Sequence, residues 1–185
     1  MPWKPGADPF PADPVSEITD FAYVGELHFV RHAKAPPQTS DSLWQLAKPF
    51  GATFTVHFEG GGTKAWKITA PRGMYTDLAS VPKAVWNIVG PIGEHLEASI
   101  LHDYLYMAWT DHRKKARRMD WDFADEMMYA GMKASGVSRF RRRLIFGAVH
   151  STLIGWPVFR AKPYTLEQRM NEWLANLAPA HKRAD

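Results

Sequence analysis

From about residue 18 to residue 71 the pattern is β-like, in short apolar-rich runs: Ala22-Tyr23-Val24, Leu27-His28-Phe29-Val30, and the alternating Phe54-Thr55-Val56-His57-Phe58 and Trp66-Lys67-Ile68-Thr69. Successive side chains of a strand point to opposite faces, so a period of two predicts half-buried strands. Gly60-Gly61-Gly62 separates the last two runs, as a hairpin turn would. Leu43 to Phe50 is ambiguous and fits one further strand.

Pro71-Arg72-Gly73 closes this region, and the period then changes to that of helices. Ser80 ahead of Val81-Pro82 reads as the cap of a short helix through Trp86. After the loop Gly90-Pro91-Ile92-Gly93 the pattern predicts three helices: Glu94 to about Trp109, about Ala116 to Ala134, and Ser138 to near Trp156-Pro157. Thr165-Leu166-Glu167-Gln168 is a capping-box pattern opening a last helix to about Leu177. Residues 1–16 hold five of the 14 prolines and few large apolar groups, which predicts an extended arm. The expected organisation is an arm over 1–16, a single α+β domain over 17–160, and a C-terminal helix and tail over 161–185. Within the domain, a small antiparallel β-sheet precedes a helical half built on an antiparallel helix pair.

Composition narrows the chemistry. The 185 residues are long enough for one substantial core, and 45% are hydrophobic. The absence of cysteine excludes a disulfide framework, a thiolate metal site and a cysteine nucleophile. The first residues lack the basic start and apolar core of a secretory signal, and the longest apolar stretch, Leu144 to Phe159, is interrupted by His150, Ser151 and Thr152. No transmembrane span is expected. Net charge is +4, yet between Asp111 and Arg143 ten Lys or Arg face five acids. Such a surplus is either a solvated face of two helices or an attractor for nucleic acid or anionic headgroups, with Arg139, Arg141, Arg142 and Arg143 as its densest part.

The candidate chemistry lies in Leu101-His102-Asp103-Tyr104-Leu105-Tyr106, where a His-Asp pair interrupts an apolar helix. Charged groups are seldom buried without partners, so the pair needs a reason to be there. His95, Ser99, His102 and Tyr106 share one stripe, and on the next helix Asp122, Asp125 and Tyr129 share another. The short connection makes the two helices antiparallel neighbours, so either Asp122 or Asp125 can reach the imidazole in a solvent-reachable hollow. An imidazole held by a carboxylate is a general base for activating water. A second carboxylate, Asp103, can hold a hard cation. The same pattern also serves a purely structural polar network. Asp77 is either a further carboxylate for the metal or base, or a helix cap.

Thr76-Asp77-Leu78-Ala79-Ser80-Val81-Pro82, Leu101 to Tyr106, and Ala124-Asp125 before Gly136-Val137 together resemble an uncharacterised domain family common in tailed bacteriophages and prophages. The resemblance spans about residues 65–150 and implies a phage or prophage setting without an established activity. His102-Asp103-Tyr104-Leu105-Tyr106 is also similar to the His-Asp-x-x-Tyr helix of phospholipases A2. That similarity implies a calcium-dependent (Ca2+) hydrolase. In it His102 activates water, Asp103 binds the metal with carbonyls of the Gly90 to Gly93 loop, Asp122 or Asp125 orients the histidine, and Tyr106 supports that distant carboxylate. Phospholipases A2 carry more glycines in a loop further upstream, and most place a cysteine where this chain has Leu105.

The leading expectation is therefore a metal-dependent hydrolase acting on a phospholipid or another ester, in a bacterial host cytoplasm or a phage virion. The alternatives are a non-catalytic virion or assembly component that meets phage structural proteins, and a nucleic-acid-associated protein using the arginine cluster.

Overall fold

The computed structural model describes residues 7–31, 44–76 and 93–161. The short helix expected over Ser80 to Trp86 and the last helix expected over 165–177 lie outside these residues. What is described is α+β, with antiparallel strands followed by helices.

Three long strands, β1 (Val15–Val24), β4 (Phe50–Phe58) and β5 (Thr63–Ala70), form one antiparallel sheet in the order β1-β4-β5. The glycine run closes the β4–β5 hairpin, where Gly61 and Gly62 take φ of 90° and 87°, values that an L side chain rarely adopts. A second, smaller sheet joins β2 (Phe29–Arg31), β3 (Trp44–Leu46) and β6 (Tyr75–Thr76). The ambiguous stretch from Leu43 to Phe50 thus supplies β3 and the first residue of β4, and the sheet region comprises two sheets rather than one.

The helical half contains α1 (Leu96–His112), α2 (Arg118–Ala134) and α3 (Arg139–Val149). Ser138 caps α3 by accepting from the Arg141 N–H, and Gly136 ends α2 with a φ of 78°. The third expected helix is shorter than its apolar pattern. It stops at Val149, the chain turns through 150–154, and a new helical segment runs over 155–161. Pro157 falls in the first turn of that segment, where a missing N–H costs no helical hydrogen bond.

On the inner face of the long sheet, Phe50, Ala52, Phe54, Val56, Ile68 and Ala70 are buried, at the period of two that the sequence shows. They pack with Ile100, Leu101 and Leu105 of α1 and with Phe123 and Met127 of α2 in one continuous core. Fully burying a side chain of this size stabilises by about 1.5–3 kcal/mol. α2 packs closely at Gly131, where a Cβ would stand 3.1 Å from Ala98 Cβ and 2.9 Å from the Tyr23 hydroxyl. Part of the segment expected as an arm is docked on the body. Phe10 is buried edge-on against Phe123, the Trp66 indole donates to the Pro9 carbonyl, and Asp8 pairs with Arg113.

α1 is enclosed on every side: each residue from Ala98 to Trp109 is buried, the polar seam included. A helix apolar over most of its circumference belongs in an interior, which leaves its polar side chains dependent on partners from other elements.

Candidate functional site

Position along α2 decides which aspartate meets the histidine. Asp125 has the buried Trp121 and Met128 four residues before it and three after it, so it projects into the interior and is 0% exposed. His102 Nε2 lies 2.7 Å from Asp125 Oδ1, and His102 is itself 2% exposed. A carboxylate only accepts, so Nε2 carries the hydrogen, and in the neutral ring Nδ1 carries the lone pair. That Nδ1 is buried with no hydrogen-bond partner among the described residues.

Tyr106, one turn along α1, donates its hydroxyl to the same Oδ1 at 2.9 Å and accepts from the Trp121 indole N–H at 2.9 Å. Burial first, and then the Asp125 charge, hold this phenol well above the usual tyrosine range, so it stays protonated and donates. The other carboxylate oxygen, Oδ2, faces His150 Nδ1 at 3.1 Å. His150 is the residue at which α3 ends. Its ring stacks on Trp121 with centroids 4.5 Å apart and on Phe146 at 4.9 Å. The Asp125 hydrogen bond raises the His150 imidazole above its ordinary range. Two histidines and a tyrosine thus converge on one buried carboxylate, where α1, α2 and the end of α3 meet.

Asp122 does not reach His102. It lies 4.0 Å from His150 Nε2 with its side chain 45% exposed, and burial of the carboxyl raises its pKa. Asp103 accepts from the Thr76 hydroxyl at 2.8 Å, which ties α1 to the end of β6. Of the other residues expected at a metal, Gly93 lies in the exposed bend ahead of α1, while Asp77 and Gly90 lie outside the described residues. Among the described residues no group of three His, Cys, Asp or Glu comes together to hold a metal ion.

The expected solvent-reachable hollow is not what the structure shows. The His102 ring is enclosed, and the network meets solvent at His150 and Asp122, whose side chains are 37% and 45% exposed. His150, Trp121 and Thr76 are members that the sequence pattern did not assign to the site.

The basic surplus is partly consumed inside the protein. Buried Asp120 takes hydrogen bonds from both Arg113 and Arg117, Arg118 lies over Trp121, and Arg142 lies over Tyr129. Arg139, Arg141 and Arg143 remain exposed on α3. No helix among the described residues is long and apolar enough to cross a membrane.

Residues 53–149, just over half of the chain, match the family described as "Protein of unknown function (DUF1353)". A curated relative, the uncharacterized protein y4jT of Sinorhizobium fredii, is 32% identical over 109 residues. That alignment covers 58% of this chain and 28% of the relative, so the chain spans less than a third of that protein's length. No solved structure matches the chain.

Proposed function

We propose, from the premise that the chain belongs to the DUF1353 family, that it hydrolyses ester bonds with His102 as general base. The observation that carries this reading is the division of labour on the imidazole: Nε2 is held by Asp125 at 2.7 Å, and Nδ1 keeps a lone pair with no partner among the described residues. Water attacking the ester carbonyl would give its proton to Nδ1. The resulting imidazolium, stabilised by Asp125, would return that proton to the departing alkoxide as the tetrahedral intermediate collapses. Asp125 and Tyr106 orient the base and do not themselves exchange protons. No step is routed through a metal.

A phospholipid is the substrate class we propose, with action on a bacterial membrane in a phage or prophage setting. Because the ring is 2% exposed, substrate must open a path to it. Turnover of a fluorogenic phospholipid and of a short-chain aryl ester, each with calcium and with chelator, tests the reading. His102→Gln should abolish turnover with little change in Tm. Calcium dependence would bring Asp103 back as a ligand.

The burial itself favours a second reading, a non-catalytic assembly component in which the same network locks the helices together. Under it, wild type turns over neither ester and His102→Gln lowers Tm.

A further inference from the structure

The geometry points to His150 as a positioning residue for His102, fixing the shared Asp125 carboxylate from the solvent side and transmitting its own protonation state to the buried ring. The role as a positioner of a base rests on the reading of His102 given above.

Asp125 has two oxygens and no exposure, so its orientation is decided by what binds each oxygen. His102 and Tyr106 both take Oδ1; His150 takes Oδ2 from the opposite side. Without His150 the Oδ2 lone pairs lose this donor, and the carboxylate is freer to rotate away from the 2.7 Å contact with His102. The His150 ring is itself pre-set. Its stack on Trp121 is parallel to within 1°, and Trp121 also holds the Tyr106 hydroxyl, so the same indole fixes both outer partners of Asp125.

His150 is also placed to respond to pH. From α2 it faces Asp125 at 3.1 Å, Asp122 at 4.0 Å and the charge of Glu126; Arg118, lying over Trp121, acts on Asp122 from the same helix. Glu17 of β1 and Glu59 of the hairpin turn add to the field on those acids. From its own helix the neighbour is the uncharged Phe146 ring. The surroundings are acidic overall, and the Asp125 hydrogen bond is the main cause that raises the His150 pKa. Imidazolium at His150 therefore grips Oδ2 with a charge-assisted bond, and neutral imidazole grips it less.

The test is imidazole 15N NMR of the full chain from pH 5 to 9, with the His102 signals assigned by His102→Gln, on wild type, His150→Gln and His150→Phe. Phenylalanine keeps the stack on Trp121 and Phe146; glutamine keeps a donor. In wild type the His102 signals should shift in step with the titration of His150, and both variants should lose that step. His102 signals that follow one pH curve in all three proteins would overturn the inference. Ester turnover, followed in parallel, should carry the same pH step in wild type and lose it in His150→Gln. A wild type without turnover would remove the hydrolase reading, and the NMR comparison would still decide the link between the two histidines.

Discussion

The indole N–H of Trp121 and the hydroxyl of Tyr106 meet at 2.9 Å with both side chains buried, and the phenol passes its own hydrogen on to Asp125. Tyr106→Phe would take from the buried Trp121 N–H this acceptor and from Asp125 Oδ1 one of its two donors. An orphaned buried group costs about 1–3 kcal/mol. For a chain of this size that corresponds to roughly 2–4 °C of Tm per kcal/mol. Thermal unfolding of Tyr106→Phe with an unchanged Tm would show that water or another group replaces the phenol.

Asp125 and Asp122 lie three residues apart and should respond unequally to the same change. Asp125→Asn removes the charge that His102, Tyr106 and His150 all address, and a hydrogen bond to a charged group contributes about 1.5–3 kcal/mol. Asp122→Asn alters a half-exposed carboxyl and should stay within about 0.5 kcal/mol. Urea midpoints at neutral pH compare them directly. Equal losses would mean that α2 buries both carboxylates alike.

Two glycines near the end of α3 predict effects of opposite sign. A Cβ at Gly155 would stand 1.5 Å from the Val149 carbonyl oxygen, so Gly155→Ala forces the turn after α3 to move. Overpacking of this kind costs about 1–3 kcal/mol, and the neighbouring Trp121 indole should report it as a change in fluorescence. Gly147, inside α3, has nothing within 4 Å of an added Cβ. Gly147→Ala should stabilise by about 0.5–1 kcal/mol, because alanine gives up less backbone freedom in a helix.

His150 fixes the direction of one pH effect. Its folded-state pKa is raised above the ordinary 6.5, mainly by the Asp125 hydrogen bond. The stability it contributes is therefore fully present below 6.5 and is lost as pH rises through the folded value. The gap in urea midpoint between wild type and His150→Gln should be widest at pH 5–6 and narrow toward pH 9. Burial raises Asp122 and Glu126 from ordinary values of 3.8 and 4.5, so their losses begin at lower pH and are separable. A gap that widens with pH would contradict the His150 assignment.

The hairpin at Gly60-Gly61-Gly62, the Ser138 cap and the boundary at Gly136 were legible in the sequence because each is set by residues within a few positions. The choice of Asp125 over Asp122 was not legible, because the polar stripe leaves both open and only the burial of Trp121 and Met128 around Asp125 decides it. His150 was not legible either. Its contact with Asp125 spans 25 residues and depends on α3 stopping at Val149, whereas the apolar run continues past it. The division into two sheets was hidden for a similar reason. β1 pairs with β4 rather than with its sequence neighbour β2, and no local period encodes which strand is the partner. Nor did the seam on α1 announce its enclosure, because polar spacing marks a face without saying what covers it.

The pairing of β1 with β4 has a practical side. The region shared with the family begins at residue 53, inside β4, while β1 and the docked Phe10 lie upstream of it. A truncated clone cut at that boundary would present β4 with one bare flank of N–H and C=O groups, an adhesive margin for other chains. Expression trials that start after residue 52 should therefore yield inclusion bodies, and the soluble unit has to reach back beyond the first strand.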